Sequence, residues 1–137
     1  MGRSSQFTAA MRAYDEDRDD VALALMEECA AQGDPVACYM AALWHRDGEA
    51  ANANPLQREH WVQQLVTLAE HGNHEAQWEL SCMHRWGSLL PVNIGEANHW
   101  LELAAEGGFG DAQHLLAWYL ETGQYGYPID PAESESW

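Results

Sequence analysis

The chain has 137 residues, of which 47% are apolar, a length that suits one compact domain and an apolar content that excludes an intrinsically disordered chain. Twenty-two acidic residues against six arginines give a formal charge of −16. This charge disfavours nucleic acid and anionic membranes as partners and favours a basic protein, although solubility alone is the alternative explanation for it.

Two helices are predicted first, over residues 5–14 and Asp19–Gln32, and they form an N-terminal cap within residues 1–32. Three segments then align without gaps over sixteen positions, and each begins and ends with glycine: Gly33–Gly48, Gly72–Gly87 and Gly108–Gly123. Each segment is rich in helix formers, and a closing glycine stops a helix by taking the left-handed conformation. Each is therefore predicted to be one helix of about three turns, here named helix A of a repeat.

A second helix, helix B, follows each helix A and runs into the opening glycine of the next repeat. Helices B are predicted over Pro55–His71, capped by Asn54, and over Asn93–Gly107, and another begins at Asp130. The repeats are approximately 33–71, 72–107 and 108–137, within a single domain. Repetition at this period predicts an all-α fold, a right-handed α-solenoid of antiparallel helix pairs.

The run from Ala104 to Gly123 carries the pattern Ala-Ala-Glu-x-Gly-x-x-x-Ala-Gln-x-x-Leu-Ala-x-Tyr-x-x-x-Gly. This pattern resembles the Sel1-like repeat, a relative of the tetratricopeptide repeat, and the resemblance covers roughly residues 19–137. The first repeat departs from it, because the loop Glu49–Asn54 lacks the usual Gly-Val-x-x-Asp run. The resemblance implies an adaptor for complex assembly, including in bacterial host interaction and in toxin neutralisation by immunity proteins.

Two faces of helix A are distinguished by helical spacing. Offsets of four, eight and eleven from the opening glycine predict the core: Ala37, Ala41, Trp44; Ala76, Leu80, Met83; Ala112, Leu116, Tyr119. Offsets of three, six, ten and thirteen mix aromatic and charged residues on a neighbouring face: Val36, Tyr39, Leu43, Arg46; Glu75, Trp78, Cys82, Arg85; Asp111, His114, Trp118, Glu121.

This mixed face is predicted to line the concave side of the repeats and to bind a partner, since Tyr, Trp and Arg are enriched in binding hot spots. The candidate residues are Tyr39, Arg46, Trp78, Arg85, His114 and Trp118. In the alternative interpretation, the two tryptophans pack between adjacent repeats and the two arginines only balance nearby acids.

The densest charge cluster supplies a second candidate contact for a basic partner. Its acids are Asp15, Glu16, Asp17, Asp19 and Asp20. A solvated loop is the alternative, and acids at the start of a helix also complement its dipole.

No residue pattern predicts an enzyme, a cofactor or a metal. The pair His71 and His74 straddles a turn, and Ser81, Cys82 and His84 point in different directions from one helix. Cys29, Cys38 and Cys82 match no zinc or redox motif and are expected to be packing residues. We therefore expect a cytoplasmic, non-enzymatic scaffold for a protein partner. The alternative is a binder of a small ligand or peptidoglycan fragment, or a hydrolase, that uses the aromatic groove.

Overall fold

The computed structural model describes residues 4–47 and 54–137, without the side chains of Arg46, Asp47 and Pro55. These residues form eight helices and no strand, which confirms the prediction of an all-α fold. The helices are α1 Ser5–Asp15, α2 Asp19–Ala31, α3 Pro35–Asp47, α4 Pro55–Glu70, α5 His74–Trp86, α6 Ile94–Glu106, α7 Gly110–Thr122 and α8 Pro131–Ser136. The predicted helix stop at Gly48 and most of the loop 49–54 lie outside the described residues.

Glycine defines the turns between repeats, as the aligned glycines predict. Gly33, Gly72 and Gly108 have φ of +91°, +91° and +92°, a region that side-chain-bearing residues rarely adopt. Gly87 and Gly123 end α5 and α7 in the left-handed conformation, each with φ of +72°. The three opening glycines therefore play one conformational role.

Short polar side chains start several of the helices. Asn73, Asn93 and Asp130 each accept a hydrogen bond from the backbone N–H three residues later, at distances of 2.9, 3.1 and 3.1 Å. Each bond satisfies one of the amides that a helix N-terminus leaves without an intrahelical partner. Asn54 acts similarly, and its Oδ1 accepts from the Leu56 N–H at 2.9 Å.

The chain divides into two compact units, Met1–Leu68 and Ala69–Trp137, here named unit 1 and unit 2. In unit 1, α2 packs against both α1 and α3. The Glu27 carboxylate of α2 accepts the Trp61 indole N–H at 2.9 Å and lies 2.9 Å from Nε2 of buried His45. In unit 2, α6 packs against α5 and α7, and α7 packs against α8.

The predicted core face of helix A is confirmed in every repeat. All nine of its residues are buried, and the most exposed of them, Trp44, retains 8% of its surface. A second repeated feature is a hydrogen bond from the side chain five residues after the opening glycine. It is donated to the backbone carbonyl oxygen eight residues earlier: Cys38 to Ala30, Gln77 to Ala69 and Gln113 to Ala105. Each of these hydrogen bonds reaches the end of the helix that comes before helix A in the chain.

Candidate partner-binding surfaces

One exposed row of side chains runs along α7. Asp111, His114, Trp118 and Glu121 are spaced by three or four residues, so they share one side of the helix, and all four are exposed. Trp118 keeps 53% of its surface, and no other ring of the described residues stacks on it. We name this row the α7 face. It presents an indole between acidic side chains.

The matching row of α5 is built into unit 2 instead of lying open. Trp78 is partly buried and its ring lies 5.8 Å from that of Phe109, which directly follows Gly108. Trp78 therefore packs across the junction between two repeats, as the alternative interpretation had it. Trp118 stands at the same repeat position and lacks such a neighbour among the described residues.

Arg85 requires a correction of its assigned face, because only 3% of its surface is exposed. Its guanidinium carbon lies 4.8 Å from the ring centre of Tyr119 and 4.7 Å from that of Tyr125. One nitrogen, Nη2, donates to Asn98 Oδ1 at 3.0 Å, whereas Nε and Nη1 have no hydrogen-bond partner among the described residues. Cation–π attraction offsets part of the cost of burying this charge.

Arg85 is thus the centre of an aromatic cluster that orders the segment between α7 and α8. The rings of Tyr119 and Tyr125 lie 5.1 Å apart, and the Asn98 side chain also donates to the Tyr125 carbonyl oxygen at 2.8 Å. Burial raises the pKa of Tyr119, and the positive charge of Arg85 opposes that shift. Burial and the charge of Glu102 raise the pKa of Tyr127 further.

Two of the candidate binding residues, Tyr39 and Arg46, lie on α3. Tyr39 is half-buried on α3. Arg46 lies in the last turn of α3, and its side chain is outside the described residues. Of the six candidate binding residues on the mixed face, Trp118 and His114 are therefore the ones whose side chains the structure describes as exposed.

The acidic cluster extends from the end of α1 through the turn to the start of α2, and local structure accounts for much of it. Asp17 has φ of +60°, a conformation that Asp tolerates better than most residues. Asp19 and Asp20 occupy the first turn of α2, where they complement the helix dipole. Glu16 forms an ion pair of 2.6 Å with Arg18. Asp15 has no such local role in the turn.

Ser81, Cys82 and His84 do not form a catalytic arrangement. The Ser81 hydroxyl is buried and donates to the Ala97 carbonyl oxygen at 2.7 Å, which fixes α5 to α6. Burial and the charge of Glu79 raise the pKa of the Cys82 thiol to about 11, so it stays protonated at neutral pH. His84 Nδ1 lies 3.3 Å from the Pro91 carbonyl oxygen instead of near either neighbour.

His74, one member of the histidine pair, is engaged by other residues of unit 2. His74 Nδ1 lies 3.0 Å from Gln77 Oε1, and its ring occupies the space that a side chain at Gly107 would need. Among the described residues, no three His, Cys, Asp or Glu side chains are arranged to hold a metal ion. None of the described helices combines the length and apolar character required to span a membrane.

Sequence reasoning missed a second exposed tryptophan. Trp86 ends α5 with 65% of its surface exposed, and its ring meets that of Tyr125 edge to face at 5.9 Å. It lies at offset fourteen from Gly72, one position beyond the row considered for binding. An aromatic residue directly before a helix-closing glycine was the available signal, because the last turn of a helix is often exposed.

Comparison with known proteins gives a consistent family match. The model of the Sel1 repeat matches residues 35–57, 74–109 and 110–137. No curated protein sequence matches the chain significantly.

The solved structures similar to the chain include two Sel1-type proteins. One is a Sel1 repeat protein from Oxalobacter formigenes, with a TM-score of 0.63 and 27% identity over 85% of this chain and 45% of that one. The other is c5321, a protective antigen of uropathogenic Escherichia coli strains displaying an SLR fold, with a TM-score of 0.64 and 25% identity over 96% of this chain and 28% of that one. This chain thus spans less than half of either protein. Their shared fold confirms the predicted solenoid class.

Proposed function

The chain belongs to the Sel1 repeat family, whose members generally mediate protein–protein interaction, and we propose that it is a non-enzymatic adaptor for one basic protein. The finer form of this proposal is an immunity-type role, in which the chain neutralises a basic toxin or effector by covering its surface. The observation that carries the proposal is the α7 face, where an exposed tryptophan stands among carboxylates.

The α7 face has the composition of a binding hot spot. Tryptophan is among the residues whose truncation most weakens protein interfaces, because it combines a large apolar area with a polar N–H. Trp118 is about half exposed, so a partner can bury much additional ring surface. Asp111 and Glu121 lie two turns before it and one turn after it. They supply the acidic rim that a basic partner would meet.

The net negative charge of the chain is the reason for proposing a basic protein as the partner. The formal charge of −16 attracts basic proteins at long range and repels anionic ones, and this attraction raises association rates. The turn between α1 and α2 adds a local concentration of acids in unit 1. Because Asp17, Asp19 and Asp20 also have structural roles, their contribution is best tested with amide substitutions that preserve shape.

The decisive experiment is affinity purification of the full chain from its native host, followed by surface plasmon resonance with the purified partner. Trp118→Ala is expected to weaken binding by about 2 kcal/mol, mainly through faster dissociation. Trp86→Ala is the matched control, because Trp86 is equally large, exposed to 65% and outside the α7 face. Equal losses in both variants would argue against a specific role of the α7 face.

A second pair of variants tests the acidic turn. Asp15→Asn with Asp17→Asn removes two charges while Asn still tolerates the left-handed conformation at position 17. Glu133→Gln with Glu135→Gln removes the same charge from exposed sites on α8. We expect only the first pair to slow association beyond the general charge effect, and the difference to fade at high salt. If no protein binds the full chain saturably, the adaptor proposal is wrong.

A further inference from the structure

Unit 2 has an unusual charge arrangement that bears on what its surface can bind. Residues 69–137 contain eleven acids but no lysine and one arginine, Arg85. That arginine is buried between the rings of Tyr119 and Tyr125 and does not reach the surface. Apart from its histidines, the surface of unit 2 therefore presents no cationic side chain.

The α7 face is the part of this surface where acidic charge and an open aromatic ring coincide. No side-chain ion pair joins Asp111 or Glu121 to another described residue, and Trp118 has no stacking partner there. Burial is the main cause of the raised pKa of Cys82 on α5, and the charges of Glu79 and Asp111 add to that shift.

We propose that the α7 face binds an arginine side chain from a basic segment of the partner, with the guanidinium over the Trp118 indole and its N–H groups directed to carboxylates. This inference rests on the adaptor function proposed above and adds the chemistry of recognition. Tryptophan offers the strongest cation–π surface among the aromatic side chains. Arginine fits better than lysine, since its planar group stacks on a ring and still donates to a carboxylate at its edge.

The geometry of the helix favours a side chain that lies along α7. Glu121 follows Trp118 by three residues, or one turn, and Asp111 precedes it by seven residues, or two turns, so the three side chains lie on one side of the helix. An arginine stacked on the ring has a carboxylate within one turn toward the C-terminus. His114, one turn toward the N-terminus, leaves a cation unopposed when it is neutral.

The test uses the full chain with its seven tryptophans labelled as 5-fluorotryptophan and followed by ¹⁹F NMR, in which each labelled ring contributes one signal. Trp118→Phe identifies the Trp118 signal by its loss. The probe is a capped tetra-arginine peptide, with capped tetra-citrulline as the neutral control of the same shape and tetra-lysine as the comparison of cation type. We expect a saturable shift of the Trp118 signal with arginine, a weaker one with lysine and none with citrulline.

Substitutions then distinguish specific recognition of arginine at the α7 face from nonspecific attraction by the net negative charge. Asp111→Asn with Glu121→Gln should weaken the tetra-arginine affinity more than Glu133→Gln with Glu135→Gln, which removes the same net charge. Trp118→Ala should weaken it by about two- to fivefold, the range expected for an exposed cation–π contact. Circular dichroism checks that each variant keeps wild-type helicity, as expected for exposed positions.

Three results would overturn the inference: an equal Trp118 shift with citrulline, equal losses from the two double variants, or shifts confined to other tryptophans. Its failure is distinguishable from that of the adaptor function. A native partner that binds Trp118→Ala as tightly as wild type removes arginine recognition at α7 and leaves the adaptor function standing. If the peptide shifts the Trp118 signal specifically but no protein partner is found, arginine recognition at the α7 face stands and the adaptor function fails.

Discussion

The two neighbouring glycines Gly108 and Gly110 allow a sharp test of how the repeat turns are built. Alanine at either position meets open space, because an added Cβ has no heavy atom within 4 Å. The difference is conformational, since Gly108 has φ of +92° whereas Gly110 begins α7 in ordinary helical geometry. Gly108→Ala should therefore destabilise the protein, and Gly110→Ala should not.

The magnitudes follow from backbone energetics. A residue with a Cβ costs about 1–2 kcal/mol in the left-handed region, and alanine recovers about 0.4–1 kcal/mol by restricting the unfolded chain. Gly108→Ala should therefore lower the free energy of unfolding by about 1 kcal/mol, which corresponds to a Tm lower by about 4 °C. Gly110→Ala should raise the free energy of unfolding by up to about 0.5–1 kcal/mol, because alanine is the better helix former.

Urea denaturation followed by circular dichroism at 222 nm measures both variants against wild type. The slope of the transition must stay unchanged, so that a shift in midpoint reports stability and not a change in the unfolded state. The reasoning is refuted if Gly108→Ala is as stable as wild type, or if the two variants shift in the same direction. Gly33→Ala and Gly72→Ala, which have nearly the same φ, should repeat the loss.

Two further predictions concern the core and the Cys82 thiol. Ala76→Leu should lower the free energy of unfolding by about 1–3 kcal/mol in urea titrations, because Ala76 is fully buried on the core face. Ala24→Leu, at an exposed helical site, should change it by under about 0.5 kcal/mol. A melting temperature within a degree of wild type for Ala76→Leu would contradict the face assignment. Cys82 should react with iodoacetamide at pH 8 about 100-fold more slowly than an unhindered cysteine, since its pKa is raised from 9.0 to about 11 and each pH unit below the pKa lowers the thiolate fraction about tenfold. The same pKa shift means that the protonated thiol stabilises the folded state fully below pH 9, and that this stabilisation is lost as the pH rises through about 11. Wild type should therefore lose stability relative to Cys82→Ala between pH 8 and pH 10.5, and a constant difference between the two proteins would contradict the shift.

The sequence alone determined the repeat architecture, because its signals are local. A glycine that must take positive φ, a short polar cap and a buried stripe at helical spacing each depend on a few residues within one helix or turn. That is why Gly33, Gly72 and Gly108 predicted the turns, and why the core face was assigned correctly in all three repeats. The acidic excess and the family resemblance likewise needed no structure.

Tertiary structure decided which members of the candidate face are open to a partner. Trp78 and Trp118 have the same repeat position, yet Phe109 covers part of Trp78 while no described ring stacks on Trp118. Arg85 is a charged residue that the sequence predicted to be exposed. Folding places Asn98 and Tyr125, which are thirteen and forty residues further along the chain, in contact with it. Exposure depends on neighbours brought by folding from distant parts of the chain, so helical spacing predicted the face and could not predict its solvent exposure.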